Sequence, residues 1–415
     1  MGYNPNRITD ESDGGGVIGP LIGARRPRYD VLYDVIGDFV ARQPIDEDLF
    51  IFVDLMSALR HFFSEYSTAQ LTRGELNRHP RQLAAELLNV AGHYRNYVWK
   101  HHGRRSTVLM YHSTARCPAK LAVSPDFKAN VYAKRIGGAG PEYDVIRGYV
   151  AFNLRIAKQI AERIPHVHVI DTGETDPEAW PWALAREGRV VGSALVLSSW
   201  ATDYQYALGP GVDPMSGREW GVLRASGEHS RLVLRDELVG EVLRKSKTGE
   251  EIASKLAPEH FLYMLALAGD DDLGAPGIPK FGMAKAAKHI AKCVAEGRLP
   301  PGSPSLEALL EDGRIPDGQA ETVGRCWNRL VHDTYAVRIS QEAMSGIDAQ
   351  MINLGINKDG HYLSPGIAGS FTLEKKSSSF AGGQLSYFYF WHRHLVYLGT
   401  IGDVLFDART GGIKT

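Results

Sequence analysis

Apolar positions along the chain first keep a helical rhythm, at Val31, Leu32, Val35, Ile36 and Phe39. They then close into an unbroken run, Leu49-Phe50-Ile51-Phe52-Val53, that ends in Asp54. The first pattern predicts a helix, and the second a short strand buried on both faces of a parallel sheet. The alternation continues downstream, with helices predicted over 55–66, 82–97, 142–164 and 176–186 and strands over 107–111, 167–170 and 194–197. A β-α-β-α rhythm of this kind predicts an α/β fold, a doubly wound and mainly parallel sheet with flanking helices. Such sheets bind ligands beyond the carboxyl ends of their strands. Asp54, Ser113, Gly173-Glu174 and Ser198-Ser199 all fall just past a predicted strand, and the site is expected there.

From about Pro258 the pattern turns helical. Pro276, Gly277, Pro279 and Gly282 mark a tight turn between two helices, and Pro300-Pro301-Gly302 reads as a linker. Further helices are predicted over 306–310 and 320–336. The stretch 361–415 mixes Gly and Ser with Tyr387-Phe-Tyr-Phe-Trp391 and carries no assignable pattern. The organisation expected is an N-terminal arm at 1–27, an α/β domain at 28–257, a helical hairpin region at 258–300 and a C-terminal extension of unassigned role at 301–415.

Composition narrows the classes. A net charge of -1 over 415 residues means that any nucleic-acid surface must be a local cluster. Cys117, Cys293 and Cys326 are dispersed and odd in number, which argues against a disulfide framework or a zinc ribbon and for a reducing compartment, the cytoplasm. No apolar run approaches the length of a membrane span, and residues 1–16 lack the apolar core of a secretory signal.

Five segments carry candidate chemistry, and each has a plainer reading beside it. Asp54, at the end of a strand and before a helix, suits a first metal carboxylate and equally a helix N-cap. Ser124-Pro125-Asp126-Phe127-Lys128-Ala129-Asn130 lies in a stretch, 116–135, with five basic residues and one acid, among them Lys120, Lys134 and Arg135; it could be a solvated loop. Gly173-Glu174-Thr175-Asp176-Pro177-Glu178 is acid-rich with an early proline, which is also good helix-start chemistry. Ser198-Ser199-Trp200-Ala201-Thr202-Asp203-Tyr204-Gln205 follows a strand. Gly269-Asp270-Asp271-Asp272 leads into Pro276-Gly277-Ile278-Pro279-Lys280-Phe281-Gly282, and Lys285, Lys288 and Lys292 then share one helical face. That last stretch reads as an αα-turn with a solvated face, or as a phosphate track.

Taken in order, these segments resemble the motifs of the 5′-nucleases, the flap endonuclease and 5′–3′ exonuclease superfamily of PIN-like fold, found in phage and cellular proteins. Lys128 matches the lysine of the family's arch motif, and Lys120 stands where the family has an arginine. Glu174 and Asp176 match two metal acids. Gly269, Asp270, Pro276, Gly277, Gly282 and Ala286 match the acid loop and helix–three-turn–helix without a gap. Ser198 and Gln205 match a fourth motif whose two acids are replaced here by Trp200 and Thr202. Pro177 and Leu273 replace two further acids, and Tyr111-His112-Ser113 supplies none after the second strand.

The resemblance implies a metal-dependent DNA hydrolase acting at 5′ ends, flaps or branched duplex in replication, repair or degradation. It implies Asp54, Lys128, Glu174, Asp176 and Asp270 as catalytic residues, with Asp54, Glu174, Asp176 and Asp270 holding Mg2+ or Mn2+. Glu178, Asp203 and Asp272 are the candidate substitutes for the missing acids. It further implies DNA contacts through Lys120, Lys134, Arg135, Gly277, Lys280, Gly282, Lys285, Lys288 and Lys292, with K+ at the hairpin. Three readings stay open: an active nuclease with relocated ligands, a DNA binder that has lost cleavage, and an assembly protein that meets protein partners through its C-terminal extension.

Overall fold

A computed structural model describes residues 29–44, 49–55, 101–113, 150–158, 167–172, 177–186, 192–198, 201–210, 216–224 and 231–332 apart from 272. It also describes isolated positions between these segments and two short strands near the C-terminus. The predicted arm at 1–27, most of the helices expected over 55–66 and 82–97, and nearly all of 333–415 lie outside the described residues.

The core is one six-stranded sheet. Strands β1 (Leu49–Asp54), β2 (Ser106–His112), β3 (Val167–Asp171), β4 (Ala194–Leu197), β5 (Trp220–Arg224) and β6 (Arg231–Val233) lie in the order β3-β2-β1-β4-β5-β6. All pairings are parallel except β5 with β6. Every residue of β1, β2 and β4 is buried, which is why these strands read as continuous apolar runs rather than as alternating ones. Helix α1 (Tyr29–Arg42) buries Ile36, Phe39 and Val40. Gln43, just past it, ties the amino edge together: its Oε1 accepts from Ser193 Oγ at 2.5 Å and from the Glu219 backbone N–H at 3.0 Å.

Strands β5 and β6 escape the sequence reading, which ends the sheet at β4. Trp220-Gly-Val-Leu is short and interrupted by a glycine, so it carries a weak strand signal. A Cβ on Gly221 would lie 2.7 Å from Leu232 Cδ1 on β6, so the glycine leaves room for that side chain. The aromatic rings of Phe52, Trp220 and Tyr206 stack in succession across this side of the sheet. The helix expected over 176–186 begins later, as α2 (Trp180–Arg186), after a turn at 177–179.

Beyond β4 a 3-10 helix (Thr202–Leu208) leads to β5. Short helices α3 (Leu238–Leu243) and α4 (Gly249–Ala253) then precede α5 (His260–Ala268), which is almost wholly buried. A two-stranded turn, β7 (Gly269–Asp270) and β8 (Ala275–Pro276), leads into α6 (Met283–Ala295). Helices α7 (Leu306–Asp312) and α8 (Ala320–Leu330) follow.

The linker expected at 300 does not open a separate unit. Leu309, Val323, Cys326, Trp327 and Leu330 belong to the same apolar cluster as Phe52, Trp220 and Phe261. The Ser305 backbone N–H donates to Tyr263 Oη at 3.3 Å, and α8 packs on α5 and on the β7–β8 turn. The helix expected over 320–336 stops at Leu330, where Val331 turns extended. In the tail, β9 (Leu405–Asp407) pairs antiparallel with β10 (Gly412–Lys414).

Candidate functional site

The strand order sets where a ligand would be received. The chain runs β1 to β2 to β3 in one direction, then returns across β1 to form β4 on its other side. In sheets of this kind ligands are received beyond the carboxyl ends of the strands where the direction of winding reverses, here β1 and β4. Val53 is paired with Leu197, so Asp54 and Ser198, the next residues on the two strands, lie side by side at that reversal point. Asp54 is only 2% exposed. Its position at the carboxyl edge is the one the sequence suggests.

Two more edge groups stand beside it. His112 ends β2, and Asp171, directly opposite in register, ends β3. Burial is the main cause that pushes the His112 imidazole below its ordinary pKa; the Asp171 carboxylate works against it, and Lys158 reinforces the fall. The sequence reading leaves out Asp171, although Val167-His-Val-Ile170-Asp171 repeats the strand-then-acid pattern of β1.

Asp203, one of the candidate substitute ligands, lies just past β4 at the start of the 3-10 helix. Both of its carboxylate oxygens are engaged inside the protein. Ser198 Oγ donates to Oδ2, and His332 Nε2 lies 3.0 Å from Oδ1. A carboxylate only accepts, so the His332 proton resides on Nε2. Asp203 and His332 are each 1% exposed, and the imidazole packs against the rings of Trp182 and Tyr206. Gln205 completes the lock. Its Nε2 donates to the Leu330 and Thr202 carbonyls, each at 2.8 Å, and its Oε1 accepts the His332 backbone N–H at 2.7 Å. Ser198 and Gln205, the two residues that match the family's fourth motif, thus fasten the end of α8 to the sheet. His332 lies far from every motif, and nothing in its sequence surroundings signals it.

Glu178 is also buried, at 4% exposure, and its backbone carbonyl accepts from Tyr206 Oη. Asp270 is half-buried at the top of the β7–β8 turn, and its Oδ1 accepts the Leu273 backbone N–H at 3.1 Å, so the acid braces its own loop. Leu273, in the place of an acid, is instead a core residue at 2% exposure. Lys120, Lys128, Lys134, Arg135, Glu174, Asp176, Trp200 and Asp272 lie outside the described residues. Among the described residues no three His, Cys, Asp or Glu side chains converge as a metal site would require.

The hairpin between α5 and α6 is built on glycines. A Cβ on Gly269 (φ 67°) would fall 2.1 Å from Gly277 N, and one on Gly277 would fall 2.2 Å from the Ala268 carbonyl. Backbone packs on backbone here, and the Ile278 N–H donates to Leu267 O at 2.9 Å. Gly282 differs: it is exposed, with nothing within 4 Å of where its Cβ would be. It opens α6 with no side-chain cap, and its carbonyl accepts the Lys285 and Ala286 N–H groups at 2.9 and 3.0 Å. Lys280 holds a left-handed backbone (φ 66°) at the tip of the turn. Lys285, Lys288 and Lys292 are exposed along α6, opposite the buried Ala286, Ala287, Ile290 and Cys293. Lys285 Nζ lies 4.5 Å above the Phe281 ring.

No protein-family model matches the sequence, and no curated protein sequence matches it. In fold the chain is similar to 5′-nuclease structures. A bacteriophage T5 flap endonuclease solved with DNA and metal ions is 11% identical and matches 73% of this chain and 98% of its own, with a TM-score of 0.48. The catalytic core of Rad2, solved with DNA substrate, is 13% identical over 76% of this chain and 90% of its own, with a TM-score of 0.35. The eukaryotic junction-resolving enzyme GEN-1 is 14% identical over 90% of this chain and 70% of its own, with a TM-score of 0.31. Among the described residues no helix is long and apolar enough to cross a membrane.

Proposed function

We propose that this chain is a DNA-binding protein of 5′-nuclease type that hydrolyses phosphodiesters near 5′ ends with the help of divalent metal. The observation that carries the reading is the α5–α6 hairpin. Two glycines packed backbone on backbone project an uncapped helix start and an exposed lysine row to one side. A helix start and aligned cations are what a phosphate backbone demands. The acid motifs add the chemistry. Asp54, with Glu174, Asp176 and Asp270, offers an all-oxygen donor set suited to Mg2+ or Mn2+. The position of Asp54 at the winding-reversal point fits that role, whereas Asp203, bonded through both oxygens, does not. When bound, such an ion activates water and stabilises the leaving oxygen.

The engagement of Asp203 favours a second reading, a binder that retains the fold with cleavage lost. One assay separates them. The protein is incubated with 5′-labelled flap DNA and magnesium or manganese, against EDTA, beside Asp54→Ala. Metal-dependent cleavage that the variant abolishes supports the nuclease. DNA binding without cleavage in either protein supports the binder.

A further inference from the structure

The cations between residues 231 and 314 sort into two classes. Arg231, Arg235, Arg244, Lys255, Arg298 and Arg314 each have a carboxylate partner within 4 Å, on Glu241, Glu259, Glu251 or Glu296. The others, Lys245, Lys247, Lys280, Lys285, Lys288 and Lys292, are all exposed and have none among the described residues. Four of these belong to the hairpin and α6. Lys245 and Lys247 do not: they lie on the α3–α4 turn, in Arg244-Lys245-Ser246-Lys247.

That turn is placed beside α6 by packing. Both α3 and α4 contact α6. The turn is tight, since a Cβ on Gly249 would meet the Leu243 carbonyl at 2.3 Å, so its path is firmly set. The Ser246 N–H donates to Leu243 O at 2.7 Å, and the Gly249 N–H to Ser246 O at 3.0 Å. The two surfaces share a field. The Glu251 carboxyl on α4 is held below its ordinary range first by its hydrogen bond and charge contact with Lys255 and also by Lys288 on α6. An exposed lysine with no carboxylate within 4 Å gains less in the isolated protein than a paired one, and it loses self-repulsion when a polyanion arrives.

We infer that Lys245 and Lys247 form a second phosphate contact flanking the α6 lysine row, so that the DNA backbone is held on two neighbouring footings. The inference rests on the DNA-binding reading of the hairpin and extends it to a segment outside the family-like motifs. Each lysine that neutralises a phosphate steepens the fall of log K with log salt by about 0.9.

The test measures duplex DNA affinity from 50 to 300 mM salt for the full chain, for Lys285→Ala/Lys288→Ala, for Lys245→Ala/Lys247→Ala and for Lys255→Ala. Thermal melting of each verifies folding. Both double variants should flatten the slope by about 1.8, while Lys255→Ala, whose charge is already paired, leaves it unchanged. A normal slope in Lys245→Ala/Lys247→Ala, with a flattened one in Lys285→Ala/Lys288→Ala, overturns the second footing and leaves the hairpin reading intact. Unchanged slopes in both overturn the two together.

Discussion

Asp203 is held inside the protein through both of its carboxylate oxygens. With Ser198 on one oxygen and His332 on the other, both acceptors of this buried side chain are met. Removing one partner leaves the other unmet, which costs about 3–5 kcal/mol. His332→Ala should therefore lower stability by roughly that amount in denaturant unfolding. Asp203→Asn with His332→Ala should cost much less than the sum of the two single changes, because the two groups are coupled. A second residue-scale prediction concerns His168 on β3. Burial lowers its pKa from 6.5 to about 4. The unfolded chain then binds the proton before the folded one does. The contribution is fully present above pH 6.5 and is lost as pH falls toward 4, a loss of roughly 3 kcal/mol. Melting temperature should fall over this window, and His168→Leu should flatten that fall.

At the scale of the element, the hairpin separates glycines that hold the fold from a glycine that serves a ligand. Gly277→Ala would drive a methyl into the Ala268 carbonyl, a clash with backbone that no rotamer relieves, and a loss of about 2–4 kcal/mol is expected. Gly282→Ala has open space and an ordinary φ of -84°. The gain from a less flexible unfolded chain is offset by Ala being the poorer N-cap, so melting temperature should change little, while DNA affinity should drop, because the new methyl stands where phosphate would approach the helix start. Melting curves and binding titrations on the two variants separate the roles. The hairpin was legible in the sequence because it is local, with every residue that defines it inside an 18-residue window. Strands β1, β2 and β4 were legible for a related reason, since burial on both faces gives each a continuous apolar run. Strands β5 and β6 were not, being short and, in β6, half-exposed. Nor was the fate of Asp203, because a contact with His332 leaves no periodic trace.

At the scale of the molecule, residues 301–332 complete the core rather than extend it. Cys326 on α8 reaches the Ala275 and Pro276 carbonyls of the hairpin at 3.5 and 3.3 Å, and burial raises its thiol pKa to about 11. It should resist thiol reagents until the protein unfolds. A chain ended at residue 300 should lose its cooperative thermal transition, because it would bare Tyr263, the turn and the aromatic cluster at once. The lock itself also has a bearing on biosynthesis. Asp203 and His332 are 129 residues apart, and at about 5–20 residues per second the ribosome needs roughly 6–26 s to supply the second after the first. Through that interval the nascent sheet carries an acid without its imidazole partner and an aromatic face without its lid. The emerging chain should then be open to chaperone binding until α8 is delivered.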